Sequence, residues 1–304
     1  GWRHGRGPGD RESTSPAPLA CRPMAAPFRL LLTPPRDGAA NMALDEALLH
    51  HARHTGAVIV RVYGWSRPTL SLGRNQRAVG LYDPARLAAE GIDVVRRPTG
   101  GRAVLHWREA TYAVAAPLGA LAPADAPLRA SYARINRLLL AALARLGVGA
   151  REATPVGRAP LPDGAPCFEV PTGGELVVGA AHDADHGADD GTDHGAAGAR
   201  KLVGSAQWQE AGALLQHGSL LIDDDQSRIP ALAARPVAAV PPPATLRGAL
   251  GRAPSLEEIA AALFDAVRAT EDAGAAPLGD DPALARDAEA RAVRYRDDAW
   301  TWRR

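Results

Sequence analysis

Lysine is almost missing from this chain: of its 35 Lys and Arg residues, one, Lys201, is lysine. Arginine and lysine substitute for each other as solvated surface charges. They do not where a compact donor must reach a confined oxygen, because guanidinium is a broad planar fork. A lysine that survives alone in an arginine-rich background therefore marks a candidate functional position. Cysteine is nearly as scarce, with Cys21 and Cys167 only. Residues 1–26 read as a disordered or untranslated N-terminal segment, with Met24 as the natural start, so Cys167 is the one thiol expected in the folded part. A single thiol makes no internal disulfide, which points to a cytoplasmic protein. It leaves Cys167 as either a packed core thiol or a nucleophile. No stretch approaches the ~20 apolar residues of a bilayer span, and the N-terminal segment lacks the apolar region of a secretory signal. The formal net charge of +1 supplies no bulk field for nucleic acid or an anionic membrane.

What the sequence does contain is a succession of short strands around a few helices. "FRLLLT", "AVIVRVYGW", "TLSLG", "IDVVRR" and "ATYAVAAP" carry β-branched or alternating apolar residues with Gly, Pro and Asn between them. "NMALDEALLHHARH" reads as a helix capped by Asn41, and Tyr132, Ile135, Leu139, Leu143 and Leu146 mark the apolar face of a second helix that stops at Gly147. Three further strands follow in "ELVVGA", "KLVGSAQW" and "LLQHGSLLID". A polar, Gly-rich insertion at 181–199 replaces the turn between the first two of these and reads as flexible. Ser255 and Glu258 form a capping box ahead of another helix, and Pro282 opens the last one. Strands that cluster rather than alternate strictly with helices indicate an α+β domain with a mixed sheet and flanking helices. The catalytic domain is expected over 27–230, with 231–304 as a linker and helices packed on the same domain.

Four stretches could carry chemistry. "RRPTGGRAVLH" sets Arg97, Thr99, Gly100, Gly101 and His106 around a glycine pair whose amides can approach a ligand closely. An ordinary glycine hairpin is the alternative, and the stretch has neither a Walker nor a dinucleotide-binding spacing. "PCFEVP" holds Cys167 in a Pro-flanked turn, where a nucleophile would need its pKa of ~8.5 lowered or a base nearby. "KLVGS" brings Lys201, Gly204 and Ser205, and "LQHGS" brings His217, which a satisfied core histidine would explain equally well. His182, His186 and His194 stand among aspartates in the insertion, but a flexible segment does not fix ligand geometry, so no metal site is expected.

"NMALDEALL", "YGW", "TLSLG", "RRPTGGRAVLH", "TYAV", "CFEVP", "ELVV", "KLVGSAQ" and "LQHGSLLID" occur in that order over roughly residues 28 to 225. Together they resemble the cysteine-dependent octanoyltransferases of the lipoate–protein ligase A group, within the biotin/lipoate ligase superfamily. The resemblance implies a mixed sheet around an acyl-binding tunnel. It also implies transfer of octanoyl from acyl carrier protein to the lysine of a lipoyl domain, such as the glycine-cleavage H protein, with no cofactor. Cys167 is similar to the family's thioester-forming nucleophile, and Lys201 to the lysine that contacts the acyl carbonyl. Arg97, Thr99, Gly100, Gly101, His106, Gly204, Ser205 and His217 then stand for the wall around the acyl group. The expected partners are the carrier protein and the lipoyl domain, with no nucleic acid and no membrane, and the chain is expected to be a monomer.

The sequence departs from that family at three places. Trp107 follows the loop histidine where aspartate is usual, Gly173–Gly174 replaces an aromatic pair, and the insertion precedes Lys201. An ATP-dependent lipoate ligase shares the glycine loop and the lysine but needs no cysteine, so Cys167 separates the two readings. A carrier- or lipoyl-domain-binding module without activity is the third.

Overall fold

The computed structural model describes Gly1 and residues 26–154, 174–179, 198–235 and 241–303. Cys21, Met24, Cys167, Gly173 and the three histidines of the insertion lie outside the described residues. Strands are β1 (Phe28–Arg36), β2 (Val58–Trp65), β3 (Thr69–Leu72), β4 (Asp93–Arg96), β5 (Val104–His106), β6 (Glu109–Pro117), β7 (Arg151–Glu152), β8 (Leu176–Val178), β9 (Arg200–Glu210), β10 (Ala213–Leu221) and β11 (Ala276–Pro277). Helices are α1 (Gly38–Thr55), α2 (Pro84–Ala89), α3 (Leu128–Arg145), α4 (Ile229–Leu232), α5 (Leu246–Leu250), α6 (Leu256–Thr270), α7 (Pro282–Tyr295) and α8 (Asp298–Thr301).

Eight strands make one sheet in the order β11-β1-β2-β6-β10-β9-β8-β7. β1 pairs in parallel with β2 and β11, and the other neighbours are antiparallel. A second sheet, β4-β3-β5, carries the glycine loop between β4 and β5. The mixed α+β architecture expected from the clustered strands is the one observed.

The strand period of two explains how helices cover both faces of the large sheet. Val58, Val60 and Val62 of β2 enter one core cluster with Leu139 of α3 and Ile259 of α6. Ile59, Tyr63 and Trp65 point the other way, into a cluster with Leu48 of α1 and Tyr295 of α7. Arg61 falls on this second face and is fully buried, so the strand places a charge where apolar packing alone cannot satisfy it.

Helix α1 begins earlier than Asn41 would have it. Asp37 is its N-cap, accepting from the Ala40 amide at 2.7 Å. Asn41 lies inside the helix, and its side-chain amide donates to the carbonyls of Arg36 and Gly64 at 3.2 and 3.0 Å. The capping box of Ser255 and Glu258 and the Pro282 start of α7, behind an Asp281 cap, are both present.

Close approaches at Gly73 and Gly218 need glycine. A β-carbon on Gly73 would overlap the Gly101 carbonyl oxygen, and one on Gly218 would meet both the Gly204 carbonyl and the Tyr112 ring. The first lets the turn after β3 lie against the glycine loop, and the second lets β9 and β10 approach under the cavity described next.

Candidate active site

A narrow cavity of about 40 Å³ opens between the glycine loop and the β9–β10 hairpin. Arg97, Gly101, His106, Gly204, Ser205 and His217, all anticipated from sequence, line it. Gly101 is exposed and Ser205 half-buried, which marks the mouth; Trp65, Ser71, Thr111 and Ser219 are buried and form the floor.

Each wall holds a histidine whose protons its partners assign. His217 Nδ1 faces Asp45 Oδ2 at 2.9 Å, and its Nε2 meets Thr99 Oγ1 at 2.6 Å. A carboxylate accepts, so Nδ1 carries the hydrogen and Nε2 takes the threonine hydroxyl. Asp45 also accepts from Tyr63 Oη at 2.7 Å and, through Oδ1, from Arg61 Nη1 at 2.6 Å. The rest of the Arg61 fork is satisfied by Thr33 Oγ1 and by the backbone and side-chain oxygens of Asn41. Burial alone would raise the Asp45 pKa, but the Arg61 charge and the His217 and Tyr63 hydrogen bonds hold it below the usual carboxylate range. Burial pushes His217 down against the raising effect of Asp45, so its imidazole is neutral near pH 7.

The second histidine repeats the pattern. His106 Nδ1 faces Glu109 Oε1 at 2.8 Å and Nε2 faces Ser71 Oγ at 2.7 Å. Its ring stacks on Trp65 at 4.1 Å, and Trp65 Nε1 donates to Thr111 Oγ1 at 2.7 Å, which in turn donates to Glu109. Arg97 spans the gap to the loop: Nη1 donates to the Ser71 hydroxyl at 2.9 Å and Nη2 to the carbonyls of Gly100 and Arg102 at 2.8 and 2.7 Å. The walls thus hold two histidine relays, each anchored on a carboxylate, and a guanidinium that shapes the loop. They suit an uncharged, largely apolar group better than an anion in the cavity itself.

Lys201 stands apart from this lining. It is 1% exposed, and its Nζ donates to Glu175 Oε1 at 2.5 Å. The β8–β9 register shifts between Leu176 and Val177, and Leu202 and Val203 both enter the α3/α6 cluster. Such a bulge re-aims the neighbouring side chain, so Lys201 resumes the alternation on the side opposite that cluster. The ends of the insertion meet close by: Val178 pairs with Arg200, and a β-carbon on Gly179 would overlap the Gly198 carbonyl. Trp107 is half-buried and does not line the cavity.

Sequence reasoning passed over Asp45, Arg61, Tyr63, Ser71, Glu109 and Glu175 as site residues. The signal for the first pair was a lone arginine in the apolar run "AVIVRVYGW", which demanded a buried carboxylate. Among the described residues, Glu46, His50 and Glu210 come near enough to share a cation. Glu46 already receives Arg291 Nη1 at 2.9 Å as well as Arg294, so its charge is neutralised.

The family model for the lipoyl protein ligase A/B catalytic domain matches residues 37–268. The octanoyltransferase LipM of Kyrpidia tusciae is 41% identical over 203 residues, covering 65% of this chain and 67% of that protein. The LipM of Carboxydothermus hydrogenoformans is 39% identical over 193 residues, covering 63% and 64%. The matches thus span about two thirds of these relatives' length. A chain of the bi-partite lipoate protein ligase and E2 lipoyl domain system of Thermoplasma acidophilum superposes with a TM-score of 0.66 at 20% identity, covering 91% of this chain and 96% of that one. A lipoate-protein ligase A bound with ATP superposes with a TM-score of 0.68 at 20% identity, covering 92% and 99%. These two share the fold.

Proposed function

The chain belongs to the lipoyl protein ligase A/B catalytic domain family, and we propose that it is an acyltransferase of lipoate biosynthesis that moves octanoyl from acyl carrier protein to the lysine of a lipoyl domain. The observation that carries this reading is the cavity, with its paired histidine walls and Trp65 in its floor, in a chain about 40% identical to proteins named octanoyltransferase LipM. A lining whose polar groups are already paired with one another can admit an acyl chain without leaving them unsatisfied.

In the first step the Cys167 sulfur attacks the thioester carbonyl, the carrier thiol leaves with the cysteine's proton, and octanoyl remains on Cys167. In the second, the acceptor amine attacks that thioester, an amide forms, and the thiol is restored. Both steps pass through an oxyanion, which in this reading the Lys201 ammonium receives. Its ion pair with Glu175 restrains the side chain, and a slim ammonium reaches a confined oxygen that a guanidinium fork does not. A preorganised donor of this kind is worth ~10²–10³ in rate. Thioester in and amide out balances without ATP.

Intact mass after incubation with octanoyl-acyl carrier protein tests this. The expected result is one hydroxylamine-sensitive octanoyl adduct, absent in Cys167→Ala. A Cys167→Ala variant that still transfers octanoate would refute the thioester route. Lipoate-dependent ATP–pyrophosphate exchange would establish a ligase instead, and carrier binding without turnover would establish a binding module.

A further inference from the structure

The C-terminal segment lines no part of the cavity, yet on each wall it holds the chain neighbour of a residue that does the shaping. On the loop side that neighbour is Arg96, which precedes Arg97 and is fully buried. Its Nε donates to the Thr301 carbonyl and its Nη2 to the Arg303 carbonyl, both at 2.9 Å. Its Nη1 reaches the other way, to the carbonyls of Gly73 and Gln76 at 2.6 and 2.7 Å. Trp300 Nε1 donates back to the Arg96 carbonyl at 3.0 Å. One guanidinium therefore joins the carboxyl end of α8, where free carbonyls favour a cation, to the turn after β3.

That turn is in direct register with the glycine loop. The Arg74 amide donates to the Thr99 carbonyl at 2.8 Å, and the Gly101 carbonyl occupies the space where Gly73 lacks a β-carbon. On the other wall Glu46 accepts from Arg291, Arg294 and Tyr295 Oη of α7. Its predecessor Asp45 fixes His217. The segment is anchored at one wall by Glu46 and reaches the other through Arg96.

We propose that the C-terminal segment, acting through Arg96, positions the Thr99–Gly101 loop over the acyl cavity. Arg96 is then a positioning residue for acyl-donor binding, although it does not line the cavity. The fork is essential to this role, since a lysine cannot address two opposed sets of carbonyls at once. A loop displaced by about 1 Å is enough to cost ~10²-fold in a reaction that depends on placement.

The test is Arg96→Lys in the full chain, read in two ways. Hydrogen exchange does not depend on the activity proposed above: the Arg74 and Gln76 amides should exchange ~10-fold faster or more, with β6 and β10 amides unchanged. The kinetic arm rests on the octanoyltransferase reading: KM for octanoyl-carrier should rise ~10-fold or more, with KM for the lipoyl domain unchanged. If Arg96→Lys does not fold, Trp300→Phe, which removes the Nε1 donor and shrinks the ring under Arg294 and Arg303, should show the same exchange pattern at ~3-fold. Unchanged exchange at Arg74 and Gln76, or equal acceleration across β6 and β10, would overturn the proposal. So would equal increases in both KM values. A parent protein without octanoyl transfer would sink the functional reading alone, and exchange would still decide this one.

Discussion

Asp45→Asn removes one negative charge from the centre of the molecule and leaves the cation it faced. Asp45 and Arg61 are both fully buried, and Arg61 Nη1 lies 2.6 Å from Asp45 Oδ1. Asparagine can keep one acceptor oxygen toward His217 and Tyr63, but its amide then presents hydrogens to guanidinium hydrogens. Breaking a buried pair on one side costs ~3–5 kcal/mol, set against a total stability of ~5–15 kcal/mol. For a chain of 304 residues that is a fall in melting temperature of roughly 5–8 °C. Urea denaturation followed by circular dichroism measures it, with Arg61→Met and the double variant completing the cycle. The double variant should recover most of the loss, because no uncompensated charge remains. A single variant within ~1 kcal/mol of the parent, or a double variant no better than Asp45→Asn, would refute the assignment of this pair as the electrostatic centre of the site.

The remaining expectations concern pH, the lysine and a glycine. His217 has its pKa lowered by burial below the ordinary 6.5, so the unfolded chain binds a proton there before the folded one does. Its contribution to stability is therefore full above pH 6.5 and lost as pH falls toward the lower folded value. Melting temperature should drop between pH 7.5 and 5.5, less steeply in His217→Gln, and an equal slope in both proteins would assign the drop to His50, which burial also lowers. Lys201→Arg should slow octanoyl transfer ~10²–10³-fold in a single-turnover assay, and near-parental rates would end the compact-donor argument. Gly218→Ala should cost ~1–3 kcal/mol by overpacking, read as a lower urea midpoint, because its β-carbon meets the Gly204 carbonyl and the Tyr112 ring.

The glycine loop, the main strands and the helix faces were legible because period and turn chemistry are local, whereas the order of strands in the two sheets is not local and was not. The position of Lys201 was not. A one-residue bulge in β9 inverts the parity of the strand, and alternation counted along the sequence then assigns it to the wrong face. Asn41 looked like a cap because its side chain bonds backbone well, but two carbonyls from β1 and β2 claim that amide instead. Asp45 and Glu46 are adjacent acids in one helix, and nothing in its sequence pattern separates their roles. Their opposite duties, one to His217 and one to α7, exist only once β2, β10 and α7 surround α1. Cys167 lies outside the described residues, and its role stands on chemistry and resemblance.

The burial of Lys201 has a consequence for self-protection. An enzyme that carries activated acyl groups toward lysine amines would, with an ordinary surface, offer dozens of competing acceptors of its own. This chain has one lysine, 1% exposed and clamped by Glu175, and arginine, whose guanidinium stays protonated and non-nucleophilic, everywhere else. Under the proposed octanoyl transfer, such a surface offers an acyl thioester almost no competing amine, and amine-directed crosslinkers should find almost nothing on it to mark.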